Sequence, residues 1–355
     1  MKDYSGYSEL KIFHHIDRIE GLLEGERVAP IYVRIKPTNV CNQRCYYCGY
    51  ADNNVIEDRN VDNRESIDWG LLKNTLYELH EMGTKAVTFS GGGDPLCYSS
   101  IKETLSLVAE LGFDYSLITN GQALKDDKIE LLKGAKWVRV SLDASNANTY
   151  KRIRNVDSYS QVIRNIESFA EKKNQDCTLG INCVISKENH KEIYDICRLV
   201  KEIGVDNIKL SPVIEKKNNE EYHQEISFSV QEQLQRAIDN LETDKFKIVD
   251  GYTNNISSIK TYCRPYKRCL IQEFFAVIGA DAKVYRCHET AYRKQGILGD
   301  LNKESFRQIW YKPETIESIK KYDVNENCTH KCAFNNRNII LNSFLNIDKN
   351  HVNFI

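Results

Sequence analysis

The chain has 355 residues, with 41% apolar residues and 49 Lys+Arg against 50 Asp+Glu. That length allows one large domain or two smaller ones, and the near-neutral charge excludes a nucleic-acid footprint and a polybasic membrane anchor. The longest apolar runs fall far short of a membrane span and the opening MKDYSGYSELKIFHH lacks a signal-peptide core, so a cytoplasmic protein is expected, with neither nucleic acid nor membrane as partner.

Residues 1–30 read as a short N-terminal helical segment. From residue 31 strand patterns alternate with helix patterns. The strands are IYVRIKP (31–37), KAVTFSG (85–91), YSLITN (115–120), KWVRVSLD (136–143), LGINCVI (179–185) and NIKLSP (207–212), each rich in β-branched or aromatic residues. Between them Ile101, Leu105, Val108 and Leu111 share one helix face, as do Ile193, Ile196, Val200 and Ile203, and helices are expected over 68–82 and 159–172. Six βα units in series predict an α/β fold, a partial (β/α)6 TIM-like barrel over residues 31–228, with its chemistry in the loops after the strands. The charged EKKNNEEYHQE reads as a loop and 229–243 as a helix. Residues 229–355 are expected to form a C-terminal α+β domain.

Twelve cysteines are many for a chain expected in a reducing compartment, where clustered thiols hold metal more often than they form disulfides. Cys97, Cys177, Cys183 and Cys197 are scattered and read as small buried hydrophobes. Cys41, Cys45 and Cys48 lie within CNQRCYYC, in the loop after the first strand, and the second strand ends in SGGGDP. Three thiolates suit a [4Fe-4S] cluster with one iron left open; zinc completed by a distant residue is the alternative.

This arrangement resembles the radical S-adenosylmethionine (radical SAM) superfamily, whose hallmark is Cys-x3-Cys-x-aromatic-Cys, with Tyr47 in the aromatic place. The resemblance implies that Cys41, Cys45 and Cys48 bind a [4Fe-4S] cluster and that S-adenosyl-L-methionine (SAM) chelates its open iron. Gly92, Gly93, Asp94 and Pro95 resemble the family's GGEP motif, with Asp in place of Glu, where a backbone free of side chains lets the SAM ammonium approach. LITNG (117–121) resembles the third-strand end near the ribose. Ser141, in VSLDAS, and Arg152 or Arg154, in YKRIRN, would meet the SAM carboxylate. Val184 and Ile185 would flank the adenine.

Cys269, Cys287, Cys328 and Cys332 resemble the ligand set of a twitch domain, the shortened form of the SPASM extension, and imply one auxiliary [4Fe-4S] cluster; structural zinc is the rival. Ala282 stands where that pattern has Gly, so the GADAK turn is expected to bend differently, at Gly279. Cys263 is left over, a spare thiol, an alternative ligand or a hydrogen-atom donor. The closing NHVNFI is apolar enough to plug the barrel or reach its site.

The resemblance further implies reduction by a flavodoxin or ferredoxin, cleavage of SAM to a 5′-deoxyadenosyl radical, and hydrogen abstraction from a small-molecule substrate. Length and cysteine layout are similar to the twitch-bearing aminocyclitol dehydrogenases, which points to two-electron oxidation of a secondary alcohol on a sugar or aminocyclitol. Radical epimerisation, with Cys263 or Cys97 returning hydrogen, and maturation of a ribosomal peptide are the other enzymatic readings. A zinc or iron–sulfur binding module is the non-enzymatic one.

Overall fold

The computed structural model describes residues 8–50, 59–214, 219–253, 264–328 and 332–354. The N-terminal segment forms a 3-10 turn (Glu9–His14) and α1 (Ile16–Leu23). The six expected strands are β1 (Tyr32–Ile35), β2 (Ala86–Phe89), β3 (Asp114–Thr119), β4 (Trp137–Ser141), β5 (Thr178–Ile185) and β6 (Asn207–Pro212). Between them run α2 (Trp69–Glu81), α3 (Ile101–Glu110), α4 (Asp127–Leu132), α5 (Ala147–Arg154), α6 (Tyr159–Lys172) and α7 (Ile193–Ile203). Local chemistry sets their ends. Asp68 and Asn146 accept from the Leu71 and Thr149 N–H groups to cap α2 and α5, and Gly204 closes α7 at φ 91°. Each helix turns an apolar stripe to the sheet; in α6 that stripe is Val162, Ile166 and Phe169, all fully buried.

Parallel pairing in sequence order winds these units into an open barrel, and two features extend it beyond expectation. First, α8 (Asn219–Leu241) starts ten residues before the expected helix, inside the stretch read as a loop. Buried His223 holds it there, with ring nitrogens 2.8 Å from the Val213 carbonyl and 3.2 Å from the Tyr252 hydroxyl. β7 (Lys247–Asp250) then pairs with β6, so the boundary expected at 228/229 falls within α8 and the barrel sheet runs past it. Second, β8 (Phe275–Ile278) pairs in parallel with the other edge of β1, placing Val277 opposite Arg34. β9 (Lys283–Tyr285) and β10 (Ile297–Asp300) continue antiparallel, giving one ten-stranded open sheet in the order β10-β9-β8-β1-β2-β3-β4-β5-β6-β7. Short helices α9 (Phe306–Tyr311), α10 (Pro313–Lys320), α11 (Val324–Asn327) and α12 (Asn335–Leu345) complete the C-terminal domain.

The β8–β9 turn bends at Ala282, not at Gly279. Ala282 itself takes φ 59°, while Gly279 stays outside the left-handed region. Alanine thus occupies the conformation glycine would favour, at a steric cost. In the closing segment Val352 and Phe354 are exposed rather than buried in the barrel, and Ile355 lies outside the described residues. Among the described residues no helix is long and apolar enough to cross a membrane.

The strand entering β1 is fastened to the C-terminal domain through Arg27. Its guanidinium pairs with Glu273, donates to the Gln272 carbonyl at 3.3 Å and lies 3.6 Å from the Trp310 ring centroid. The Arg27 and Glu273 side chains are 4% and 5% exposed, so the pair is desolvated. Glu273→Gln strands the buried cation and is expected to cost about 3 kcal/mol. Arg152→Ala, which cuts an exposed pair with Glu188, should cost less than about 1 kcal/mol. Urea midpoints of the iron-loaded protein measure both. In the same assay Ala282→Gly should stabilise by up to about 1 kcal/mol, through relief of the left-handed alanine.

Candidate metal centres

Beyond β1 the chain crosses the C-terminal end of the sheet as the loop bearing Cys41, Cys45 and Cys48, all part-exposed and free of disulfides. The loop docks on α5. Arg44 and Tyr46 N–H groups donate to the Arg154 and Ile153 carbonyls at 3.1 and 3.2 Å, and Gln43 donates to the Tyr150 hydroxyl at 2.7 Å. Two side chains aim donors at sulfur: Asn120 Nδ2 lies 3.7 Å from Cys41 Sγ, and Arg154 Nη1 lies 3.4 Å from Cys45 Sγ. Burial pushes the Cys41 thiol up to about 12, with Asp94, Cys45 and Cys48 adding to the rise. Cys45 is also raised by burial, against the pull of Arg154. Thiols so placed are poor free nucleophiles and lose their protons readily only to a metal, which fits a ligand role.

Arg154 and Tyr47 meet at one carboxylate. Asp143, at the end of β4, accepts from the Tyr47 hydroxyl at 2.5 Å, pairs with Arg154 Nη2 at 2.5 Å and accepts from the Val184 N–H at 2.8 Å. Burial would lower the Arg154 pKa, but Asp143, with Tyr47 and Cys45, reverses the direction. Arg154 is therefore held by the chain's own carboxylate. Its buried Nε meets no hydrogen-bond partner among the described residues, which leaves one donor for an external acceptor. Arg152 is different: it lies on the surface with Glu188, remote from the role expected for it.

The glycine loop departs from expectation. A Cβ on Gly92 would sit 1.8 Å from Asn39 Oδ1, and one on Gly93 would sit 2.0 Å from the Val40 carbonyl oxygen. These glycines admit the chain itself, the segment leading into Cys41, rather than open space for a ligand. Gly93 and Asp94 N–H groups donate to the Thr38 and Val40 carbonyls at 2.9 and 3.0 Å, so the loop braces the start of the cysteine segment. The Gly92 and Gly93 carbonyls accept from none of the described residues and keep the capacity to bind an ammonium group. Asp94 faces the protein. Its carboxylate is 3% exposed and accepts from Thr119 Oγ1 at 2.8 Å, Asn120 N at 2.6 Å and Leu96 N at 2.9 Å, locking β2 to β3.

Ser141 and Val184 are part-exposed positions on the inward faces of β4 and β5, where Ser141 registers with Asn182. Strand alternation turns Ile185 the other way, into the core, so it cannot share an inward face with Val184.

In the C-terminal domain Cys269, Cys287, Cys328 and Cys332 line a single cavity. Asn338 Nδ2 lies 3.5 Å from Cys269 Sγ, the Phe334 N–H donates to Cys332 Sγ at 3.3 Å, and Cys328 Sγ lies 3.5 Å from the Tyr322 hydroxyl. Four thiols around one cavity are a complete protein ligand set for a [4Fe-4S] cluster. Cys263 lies outside the described residues. Cys97 is part-exposed, and its thiol is pushed up by burial, with Asp94 adding to the rise, to about 11. Cys177, Cys183 and Cys197 are buried as expected.

Three residues escaped the sequence reading. Asp143 and Asn120 stand inside the quoted VSLDAS and LITNG stretches, but their partners are remote in sequence. Tyr292 carried no signal. It sits at φ 64° and donates from its hydroxyl to Asn39 Oδ1 at 2.6 Å while accepting from Ala280 N at 3.1 Å. That hydroxyl ties the β8–β9 hairpin to the segment before Cys41.

The family described as the radical SAM superfamily matches residues 35–200, and the SPASM iron–sulfur cluster-binding domain matches residues 269–333. Among curated relatives, a probable GTP 3′,8-cyclase of Saccharolobus islandicus is 29% identical over 184 residues, 50% of this chain and 55% of the relative. The chain thus spans about half the length of that relative. The AdoMet-dependent heme synthase of Methanosarcina barkeri is 24% identical over 325 residues, 86% of this chain and 88% of the relative. Among solved structures, Streptococcus suis SuiB superposes with a TM-score of 0.64 at 16% identity, covering 89% of this chain and 73% of that one. AdoMet-bound anSMEcpe gives 0.61 at 19% identity, covering 82% and 83%. These likenesses show the fold. BtrN, from a complex with AdoMet and 2-DOIA, reaches only 0.41 at 13% identity, too weak to carry an argument.

Gly93→Ala should act on the first metal centre before it acts on SAM. The methyl group meets Val40 backbone, so the cysteine loop must shift. The variant is expected to lose about four irons while keeping about four in the C-terminal domain. Iron and sulfide analysis after anaerobic reconstitution measures this, and full iron with weakened SAM binding would restore the ligand-facing role.

Proposed function

We propose that this chain, which carries a radical SAM domain joined to a SPASM domain, oxidises a secondary alcohol on a small polar substrate, a sugar or aminocyclitol, by two electrons. The observation that carries this reading is the four-thiol cavity flanking β8, the strand paired directly with β1. Four protein thiols leave no ligand position for substrate, which suits a group that passes electrons rather than one that binds the reacting molecule. When bound, SAM with its cluster and the auxiliary cluster supply a hydrogen-abstracting radical and an acceptor for one further electron.

The chain's own residues do the rest. Cys41, Cys45 and Cys48 would hold the first cluster, with Asn120 and Arg154 donating toward the sulfurs. Tyr47 and Arg154 orient the loop through Asp143. Gly92 and Gly93 carbonyls would accept from the SAM ammonium, Ser141 and Arg154 Nε would meet its carboxylate, and Val184 would border the adenine. Cys269, Cys287, Cys328 and Cys332 would hold the auxiliary cluster. The barrel wall would shield the reacting carbon from water. A flavodoxin or ferredoxin would supply the electron that starts each turnover. Epimerisation would instead need a thiol beside substrate. Cys263 and Cys97 are the candidate donors.

Anaerobically reconstituted protein should carry about eight irons, and about four when Cys41, Cys45 and Cys48 are replaced by Ala. The triple variant should form no 5′-deoxyadenosine from SAM and dithionite. With a panel of sugar and aminocyclitol alcohols, the product should be lighter by two hydrogen atoms. Cys269→Ala should stop that product while some deoxyadenosine still forms. Zinc without iron in the native protein would overturn the reading. Solvent deuterium at a carbon that keeps its hydroxyl would replace oxidation by epimerisation.

A further inference from the structure

Arg286, directly before Cys287, carries a buried charge with no carboxylate to answer it. The residue is 4% exposed. Its Nε donates to the Gln295 carbonyl at 3.1 Å, Nη1 to Gln272 Oε1 at 3.1 Å and to the Ser318 carbonyl at 3.4 Å, and Nη2 to Ser318 Oγ at 2.6 Å. All these acceptors are neutral, and among the described residues no Asp or Glu forms an ion pair with it. Other buried arginines are built differently: Arg27 pairs with Glu273, Arg59 with Glu289 and Arg154 with Asp143. A buried guanidinium left with neutral partners is costly unless a negative group stands beside it. Tying the chain after β9 to α10 needs donors only, and an uncharged side chain would do that without the cost of desolvating a cation.

The negative group is at hand. Arg286 lines the same cavity as Cys269, Cys287, Cys328 and Cys332, and cysteine binds iron as thiolate. Its guanidinium lies over the Tyr322 ring, 4.3 Å from the centroid. The Tyr322 hydroxyl is 3.5 Å from Cys328 Sγ and 3.3 Å from the Asn327 carbonyl oxygen. As a thiol, Cys328 can donate to that hydroxyl, which donates onward to Asn327. As a thiolate it only accepts, and the hydroxyl has one hydrogen to turn toward it. Asn338 Nδ2 and the Phe334 N–H aim at two further sulfurs, those of Cys269 and Cys332. Hydrogen bonds to sulfur and nearby positive charge both favour the more negative, reduced state of an iron–sulfur cluster.

We propose that Arg286 is the counter-charge of the auxiliary cluster and that, with the Tyr322 hydroxyl, it raises the cluster's potential so that an electron from the substrate radical is accepted there. The proposal rests on the reading above that these four thiols hold such a cluster. Reduction brings in one electron and one negative charge, and no bond forms or breaks in the protein. In turnover the electron comes from the carbon radical left by hydrogen abstraction. That carbon keeps its oxygen, whose proton passes to water, and becomes the ketone carbon. The electron then returns to the flavodoxin or ferredoxin that supplied the first. Arg286 and Tyr322 act through the thiolates and are positioning residues.

The test isolates the second centre. Full-length protein with Cys41, Cys45 and Cys48 replaced by Ala is reconstituted anaerobically to about four irons and titrated with dithionite against redox dyes, while electron paramagnetic resonance reads the reduced cluster. Arg286→Gln keeps hydrogen-bonding capacity and removes the charge. At a fixed potential its ratio of reduced to oxidised cluster should fall about tenfold, a shift of about 59 mV for one electron, and Arg286→Lys should recover most of it. Tyr322→Phe should move the ratio in the same direction by a smaller factor, and it supplies the readout should Arg286→Gln fail to load iron. An unchanged ratio in iron-loaded Arg286→Gln, or in Tyr322→Phe where that variant is the one measured, overturns the proposal. So does an Arg286→Lys protein no easier to reduce than Arg286→Gln. A parent protein that takes up no iron, or holds zinc in its place, sinks the auxiliary-cluster reading beneath it instead.

Discussion

A single buried carboxylate organises the metal end of this barrel. Asp143 is 1% exposed and Arg154 is 4% exposed by side chain, so their pairing takes place away from water. Such a pair gains little net stability, because desolvation offsets most of the attraction, but breaking it is costly and its geometry is exacting. Here that geometry joins three elements. The carboxylate leaves β4, the guanidinium comes from α5, and the N–H of Val184 comes from β5, while Tyr47 reaches in from the cysteine loop. Protein contacts therefore hold the loop around Cys45 in addition to any metal, and the arginine that fixes it also donates to the sulfur. A preorganised loop loses less entropy when its thiols take up iron.

The second constraint is that the two thiol sets share one sheet. β8 adds to the free edge of β1, so the C-terminal domain does not depend on a linker for its position. Cys269 precedes β8, Cys287 follows β9, and the cysteine loop follows β1. Tyr292 then closes the gap from the other side, since its hydroxyl bonds Asn39, whose carboxamide fills the space that a Gly92 side chain would need. A tyrosine held at positive φ is strained, and such strain persists only where its surroundings over-determine it. The same few atoms thus set the glycine loop, the entry to Cys41 and the seat of the C-terminal hairpin.

The strands were legible in the sequence because period-2 runs of Val, Ile and Tyr declare themselves locally, and the cysteines because thiols at short spacing have few other uses. Residues whose meaning depends on distant partners were not legible. Asp94 follows the glycines and so reads as a cofactor contact, yet its partners Thr119 and Asn120 lie on the next strand. Gly92 and Gly93 announce a close approach, and sequence cannot say whether ligand or chain approaches. Ala282 was expected to displace the turn, but hairpin register outweighed the residue's own preference. The N-terminal part of α8 was lost to its charges. Glu and Gln are good helix formers, and one buried histidine was enough to dock the helix.

The net charge of −1 conceals a separation of charge that composition cannot report. Acidic residues largely occupy the surface, as in the exposed pairs Lys102–Asp127, Arg152–Glu188 and Lys321–Glu317. Among the described residues the buried cations Lys36, Arg59, Arg154, Arg286 and Arg293 outnumber the buried carboxylates Asp94, Asp143 and Glu273. Some of that charge answers the thiols: the Arg286 guanidinium lies 4.3 Å from the ring centroid of Tyr322, whose hydroxyl meets Cys328, and burial lowers its pKa against the opposing effect of Tyr322 and the neighbouring thiols. Anionic clusters and interior cations then offset one another across short distances, where the low dielectric makes each worth more than at the surface.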